Sequence, residues 1–456
     1  MRPGRPVTPL RVTTFTRVAD VSALPSARRH VRAALTSLPR VPRPALLTQV
    51  ATAGLVGNAL MPPRGFRTGV AAFMPGWLVS ELAPQLLAGQ VLDGAAYLAW
   101  CRAAGRTPDK AALALVAVNA AGLAWLSLEG QRARRVVQDA LRVGLGAGWD
   151  ADLPEPTTQT RDFTRQLLEG PRLTPSQTDG VHRHHDVRYS PAGKRGLLDV
   201  YYPDGDISGA PVLLQVHGGA WTLGEKEHQG VPLMVHMAQQ GWVCVALNYR
   251  LAPRDAWPAQ IVDVKRALAW IREEIAGYGG DPSYVAITGG SAGGHLSALA
   301  ALTPGRAEWQ PGFEEADTSV AACVPHYGVY DMAGASGARN SDRLRDEFLA
   351  DRVFQRDADQ HREDFEAASP LLQVGPEAPD FFVLHGGRDS LVDPAMAHAF
   401  VRRLREESSN AVVYAELPGA QHAFDVLPSV RSAHAVHGIE RFLTWHHAQW
   451  RQQAAA

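Results

Sequence analysis

The stretch Tyr284-Val-Ala-Ile-Thr-Gly-Gly-Ser-Ala-Gly-Gly-His295 decides the fold. Its β-branched run, Val285–Thr288, predicts a buried strand, and the residues from Gly294 onwards predict a helix. Between them, Gly289–Gly293 reads Gly-x-Ser-x-Gly, a spacing that forces a sharp turn and points the hydroxyl of Ser291 out of the sheet. The pentapeptide alone also fits a plain turn or an anion-binding helix start, so the interpretation depends on what other loops supply.

Composition limits the classes of protein to which the chain can belong. Its 456 residues exceed one ordinary domain and predict two folded units. A net charge of −1 at pH 7 gives no reason to expect a nucleic-acid partner. The cysteines number three and lie far apart, so neither a disulfide framework nor a metal site is predicted. The first forty residues lack the apolar core of a cleaved secretory signal, and none is expected.

Residues 1–150 predict a hydrophobic helical N-terminal region. Three spans within 44–128 are uncharged or nearly so: Pro44–Pro63, Thr68–Trp100 and Ala111–Leu128. Spans of about 20 apolar residues can cross a bilayer, but arginines lie between every pair of spans and give no orientation. The alternative is a soluble helical bundle with an apolar interior.

We predict that 44–128 forms a helical bundle that docks into or onto a membrane, so that the protein is membrane-associated. If the bundle is soluble, the protein is expected to be cytoplasmic. A carboxylate at mid-bilayer is costly, so Glu81 and Asp93 are expected near helix ends, with helices over about 69–81 and 82–100. The second unit is expected to cover both faces of its sheet with its own helices.

Residues 151–179 are rich in Pro, Thr and Asp and predict a linker. From 180 to 456 strands alternate with helices, which predicts an α/β fold with a mostly parallel sheet and helices on both faces. Helices are predicted over 228–240 and 259–278, and shorter ones over Ser26–Ser37 and Arg161–Leu168. The predicted strands are Leu197–Tyr202, Val212–Val216, Val243–Leu247, Val285–Thr288, Val320–Tyr327, Phe381–His385 and Val412–Glu416.

A serine hydroxyl is a weak nucleophile until a base, an orienting group and oxyanion donors surround it. Backbone donors are predicted at Gly218 and Gly219, whose tandem glycines let the loop after a buried strand fold tightly. The N–H of Ala292, directly after Ser291, is the third candidate donor. Trp221 ends the same loop and is the candidate substrate-binding residue.

The acid and the base are predicted on two later loops. Asp389 follows a strand at the edge where sites of open α/β sheets lie, and it would orient the base. Asp393 competes for this role, but its place before Pro394 suits a helix N-cap better. His422 follows the last strand and would carry the proton. The order serine, aspartate, histidine is the one that α/β-hydrolases use.

At this point the chain resembles the hormone-sensitive-lipase-like and arylformamidase-like esterases of the α/β-hydrolase fold, over about residues 188–446. The matching motifs are His217–Trp221, Asn248–Pro253, Asp263 with Trp270, and Gly289–His295, completed by Asp389 and His422. One departure is Gly290, where lipase-like members commonly have Asp. In this motif set Arg250 is expected to pair with Asp263 as a brace near the site. The hydrophobic extension resembles that of actinobacterial esterases.

The resemblance implies hydrolysis of small-molecule carboxylic esters, with short to medium acyl or acetyl groups, by a catalytic triad without a cofactor. Two alternatives stay open on sequence alone. One is an arylformamidase-type amide hydrolase, and the other is a catalytically silent hydrolase fold that serves as a membrane- or protein-binding module.

Overall fold

The N-terminal part of the chain is helical in the computed structural model, which describes residues 43–153 and 180–455. Its four helices are α1 (Arg43–Leu60), α2 (Phe66–Glu81), α3 (Ala83–Ala103) and α4 (Lys110–Leu145). The carboxylate of Asp109 caps α4 by accepting the N–H of Ala111 at 2.8 Å. The shorter helices predicted over Ser26–Ser37 and Arg161–Leu168 lie outside the described residues.

The remainder of the described chain forms a sheet of eight strands: β1 (Val181–Arg188), β2 (Leu197–Pro203), β3 (Ala210–Val216), β4 (Val243–Leu247), β5 (Gly280–Gly290), β6 (Ala322–His326), β7 (Asp380–Gly386) and β8 (Val412–Leu417). Their order in the sheet is β1-β2-β4-β3-β5-β6-β7-β8. Strands β1 and β2 are antiparallel to their neighbours, and the others run parallel. The helices are α5 (Val231–Gln239), α6 (Ala259–Glu274), α7 (Ala292–Leu302), α8 (Ser341–Leu344), α9 (Arg362–Ala367), α10 (Pro394–Glu407) and α11 (Val430–Ala455).

The mostly parallel α/β sheet that the sequence predicts is therefore confirmed, including all seven predicted strands. Strand β1 was missed because its sequence, Val-His-Arg-His-His-Asp-Val-Arg, carries mainly polar side chains. It lies at the edge of the sheet, where Arg183 reaches the buried Asp199 of β2 at 2.5 Å. Edge strands tolerate such polarity because water covers one side of them.

The expectation that the catalytic unit covers its sheet without the N-terminal helices is wrong. Near the C-terminal end of α4, Ala133, Val137 and Leu141 are buried in the same apolar cluster as Val413 of β8 and Phe442 of α11. Helix α4 thus runs from the N-terminal bundle onto the sheet. The predicted division near residue 150 falls after a helix that completes the core of the hydrolase unit.

Two ion pairs with buried carboxylates join the N-terminal helices to the rest of the chain. Glu81, at the end of α2, is fully buried and accepts hydrogen bonds from Arg431 and, at 2.5 Å, from Ser429. Glu129 of α4 accepts hydrogen bonds from Nη1 and Nη2 of Arg388, at 2.6 and 2.9 Å. Glu81 therefore lies at a helix end, as expected, but it is enclosed by the protein. Asp93, in contrast, lies in the middle of α3 and is exposed, so its expected place near a helix end is wrong.

We expect Glu81→Ala to lower the free energy of unfolding by about 3–5 kcal/mol, because Arg431 would keep its buried charge without a partner. Equilibrium urea unfolding of the full chain measures the change. The matched control is Arg67→Ala, which removes an exposed pair between α2 and Glu347 and should cost less than about 1 kcal/mol. Equal losses in the two variants would contradict the importance of the buried pair.

Candidate active site

Ser291 lies at the turn between β5 and α7, with φ 58° and ψ −119°. Its backbone N–H donates to the carbonyl of His326 at 3.0 Å, and its own carbonyl accepts from His295 at 2.9 Å. A Cβ built on Gly289 would lie 2.6 Å from the carbonyl oxygen of Val216, so the turn requires glycine there. The strand–turn–helix geometry predicted for Gly289–Gly293 is present, and the Ser291 side chain is partly exposed.

His422 and Asp389 meet at the ends of two other strands. His422 Nδ1 lies 2.6 Å from Asp389 Oδ2, and both side chains are buried. An N–H at Nδ1 makes this a charge-assisted hydrogen bond and leaves Nε2 free to accept a proton. The structure thus brings together the predicted acid and the predicted base.

The Asp389 carboxylate is fully hydrogen-bonded. Its Oδ1 accepts the backbone N–H groups of Leu391 and Val392, each at 2.9 Å. Burial alone would raise its pKa, but the charges and hydrogen bonds of His422 and His385 outweigh burial, and the pKa of Asp389 lies below its ordinary value. The carboxylate therefore stays ionised in the neutral pH range.

Asp393 has a different task. Its side chain accepts the N–H of Ala395 at 3.0 Å and caps α10, whose first residue is Pro394. This confirms the predicted N-cap and separates Asp393 from the pair formed by Asp389 and His422.

The loop after β3 lies against the serine. A Cβ built on Gly218 would lie 3.2 Å from Ser291 Cβ. The N–H of Gly218, however, donates to Gln229 Oε1 at 2.7 Å, which occupies a donor that the sequence assigns to an oxyanion. Within the described residues, no acceptor is recorded for the N–H groups of Gly219 and Ala220. Ala220 is a candidate donor that the sequence analysis did not include.

Trp221, at the end of this loop, is buried and connects the loop to α7. Its indole Nε1 donates to His295 Nδ1 at 3.1 Å, and His295 Nε2 lies 2.8 Å from the carbonyl of Ala368. With 2% of its surface exposed, Trp221 has little surface to offer a ligand. Its position favours packing over the substrate-binding role predicted from the sequence.

A third cluster beside the serine was missed by the sequence analysis. Asp425 accepts hydrogen bonds from Tyr327 Oη and, at 2.7 Å, from His326 Nδ1. The Tyr327 ring lies 4.6 Å from the His422 ring, centroid to centroid. A Cβ on Gly290 would collide with the Tyr327 ring, which explains the glycine where related lipases commonly have Asp. The only sequence signal was the short spacing of Asp425 from His422.

The predicted brace between Arg250 and Asp263 is confirmed. The Arg250 guanidinium contacts both carboxylate oxygens, with Nη2 2.7 Å from Oδ1 and Nε 3.0 Å from Oδ2, and the Arg250 N–H donates to Oδ2 at 2.8 Å. Such a bidentate pair fixes the loop after β4 to α6.

The chain is similar to known esterases. The BD-FAE family model matches residues 198–404. The chain is 43% identical to the probable carboxylic ester hydrolase LipM of Mycobacterium tuberculosis over 88% of this chain and 92% of that protein. It is 40% identical to esterase LipQ of the same organism over 81% and 83%. Residues 180–455 make up a smaller part of the chain than the 81–88% that aligns with these two proteins. The similarity therefore extends into the N-terminal helices.

Solved structures agree on the fold. A carbohydrate esterase from gut microbiota, in truncated form, has a TM-score of 0.50 and 22% identity, covering 60% of this chain and 99% of its own. Esterase B from Lactobacillus rhamnosis also scores 0.50, with 21% identity over 62% of this chain and 91% of its own. The chain belongs to the carboxylic ester hydrolases of the α/β-hydrolase fold, the family that includes LipM and LipQ.

Proposed function

We propose that Ser291, His422 and Asp389 form the catalytic triad of this ester hydrolase. The observation that supports it most is the hydrogen bond of 2.6 Å between His422 and Asp389, at the sheet edge where Ser291 lies. Ser291 Oγ attacks the ester carbonyl carbon while His422 Nε2 accepts its proton. Asp389 holds the imidazole in the tautomer that this step needs.

The oxyanion that forms is stabilised by backbone donors. We assign this role to the N–H groups of Gly219 and Ala292, together with Ala220 in place of Gly218. His422 then returns its proton to the departing alcohol, which leaves an acyl group on Ser291. A water molecule, deprotonated by His422, attacks the acyl carbon. The bond between that carbon and Ser291 Oγ then breaks, His422 returns the proton to Oγ, and the acid is released. We propose short to medium acyl groups, in line with the family resemblance.

Ser291→Ala should retain the fold and lower turnover of a soluble ester such as p-nitrophenyl butyrate by several orders of magnitude, because triad residues act as a unit. A fluorophosphonate probe should label the wild-type protein and not this variant. The matched control is Ser297→Ala, a buried serine one and a half turns further along α7, which should keep both labelling and turnover.

Retention of more than about a tenth of the wild-type turnover in Ser291→Ala would contradict the assignment. An unlabelled wild-type protein would favour a catalytically silent binding module. Faster hydrolysis of an aryl formamide than of the aryl ester of the same shape would favour the amide hydrolase.

The acid can be tested against its neighbour in sequence. Asp389→Asn should lower turnover on the order of 10⁴-fold, by analogy with the measured effect in a serine protease triad, because the amide favours the wrong imidazole tautomer. Asp393→Asn should keep near-normal turnover and lose at most about 1 kcal/mol of stability, since asparagine also caps helices. Steady-state kinetics of the two variants decide, and the reverse ranking would transfer the role to Asp393.

We also propose that the N-terminal helices bind the surface of a lipid bilayer. Of the seventeen large apolar side chains that are exposed in residues 43–153 and 180–455, fifteen lie between Leu47 and Val143. Among the described residues, α4 is long and apolar enough to cross a membrane by length and composition alone. Such a concentration of exposed apolar surface marks a docking site for another apolar phase.

Polar side chains join the helices of this bundle, and all of those named next except the exposed Asp93 are buried. Gln49 Oε1 accepts hydrogen bonds from Gln90 Nε2 at 2.6 Å and from Asn119 Nδ2 at 2.9 Å, and Gln49 Nε2 donates to Asp93 at 2.9 Å. These residues join α1, α3 and α4. Polar groups between helices with apolar side chains outside are typical of helices that pack in lipid.

A triple variant, Leu47→Gln, Leu92→Gln and Val118→Gln, should weaken binding to phosphatidylcholine vesicles by at least about tenfold, because each change removes exposed apolar surface. Co-sedimentation of the full chain with vesicles measures it. Leu372→Gln, an exposed apolar residue on the hydrolase unit, is the control and should bind like wild type. Wild-type protein that stays in the supernatant would rule the membrane proposal out.

A truncation near residue 150 is not an equivalent test. It would remove Ala133, Val137 and Leu141 from the core and expose the sheet face that they cover. Substitutions at the outer surface change the proposed contact and leave the core intact.

A further inference from the structure

Helix α2 lies directly on the two loops that carry Asp389 and His422. At its N-terminal end, the carbonyl of Gly69 accepts the Ser390 hydroxyl at 3.0 Å, and a Cβ on Gly69 would collide with the Ser390 backbone. Two turns later, Trp77 Nε1 donates to the carbonyl of Ala423 at 2.8 Å. The helix is therefore fixed to the residue after the acid and to the residue after the base.

Between these two anchors an aromatic side chain reaches the base. The ring of Phe73 meets the His422 ring edge-on, with centroids 5.8 Å apart and an interplanar angle of 80°. Trp77 stacks on Phe73 with centroids 6.1 Å apart. Both aromatic side chains are only partly buried, so they present apolar surface next to the imidazole.

The direction of proton transfer says which half of a substrate meets this surface. His422 must protonate the oxygen of the departing alcohol, so that oxygen lies at Nε2 and the alcohol group extends past the imidazole. The acyl group is bonded to the carbonyl carbon at Ser291 and extends the other way. The Phe73 side chain, which packs against the imidazole, therefore lies beside the alcohol group.

We propose that Phe73, supported by Trp77, is the specificity-determining residue for the alcohol half of the ester and selects bulky apolar alcohols. This inference rests on the triad proposed above. It assigns to the N-terminal region a part in substrate recognition. An aromatic ring offers such an alcohol a large rigid apolar contact.

The two faces of α2 supply a matched control. Val70, Met74 and Leu78 recur at every fourth residue and are exposed, so they form a stripe on α2 that is separate from Phe73 and Trp77. Met74 follows Phe73 in the chain, and its side chain forms neither a hydrogen bond nor a ring contact with another described residue. Changing Met74 alters the same helix and leaves the side chains of Phe73 and Trp77 in place.

The experiment compares methyl, hexyl and benzyl butyrate on the full-length protein. All three give the same butyryl-enzyme, so differences in kcat/KM report the binding of the ester and the acylation step in which the alcohol leaves, and exclude deacylation. Phe73→Ala should lower the benzyl-to-methyl ratio of kcat/KM at least about fivefold, the loss expected for one aromatic contact. Met74→Ala should leave that ratio within about twofold of wild type.

An acyl series at constant alcohol completes the test. Phe73→Ala should leave the ratio of methyl butyrate to methyl acetate unchanged. An equal loss on all esters would make Phe73 a support of His422 and overturn the proposal, as would a change confined to the acyl series. If Phe73→Ala does not fold, Phe73→Leu replaces it with the same expected direction. Failure of the triad proposal would give a different result, because Ser291→Ala would then hydrolyse every ester as fast as the wild-type protein.

Discussion

The backbone of Ser291 is held at a φ and ψ that an L-residue adopts only when its surroundings impose it. Such a conformation costs of order 1–3 kcal/mol, which the packing of the parallel strands must offset. The register of β3, β5 and β6 sets Val216, Gly289 and Pro325 side by side. The loops that follow these strands consequently converge at one edge, and the strained serine lies in their midst.

The two loops that carry Asp389 and His422 are joined to each other and to the N-terminal helices. Gln421 Oε1 accepts the N–H groups of Ser390 and His422, at 2.6 and 3.0 Å, and so ties the two loops together. Helix α2 lies across this tie, and Glu129 of α4 holds Arg388 from the same side. The N-terminal helices thus support the loops of the proposed triad. This agrees with a likeness to LipM that covers 88% of the chain.

How much the sequence predicts depends on how local the cause is. The turn at Ser291 and the N-cap at Asp393 follow from a few neighbouring residues, and the strands follow from short apolar runs. The meeting of Asp389 with His422 was predictable because parallel strands deliver their following loops to one edge. The hydrogen bond that occupies the N–H of Gly218 was not, because Gln229 carries no signal of where its amide points.

Contacts between distant segments were the hardest to predict. Glu81 pairs with Arg431, 350 residues later, and in the sequence it is one isolated carboxylate in an apolar span. Taken alone, the apolar span with one carboxylate suggests a membrane helix that carries an unpaired charge. With Arg431 as the partner of Glu81, α2 is a helix that faces protein on one side and solvent on the other. One side of α2 carries small, polar and aromatic groups against the catalytic loops, and the other carries apolar groups outward. A helix packed so closely on the loops cannot shift against a bilayer without disturbing the residues that hold Asp389 and His422, so lipid contact and catalysis would share one rigid support.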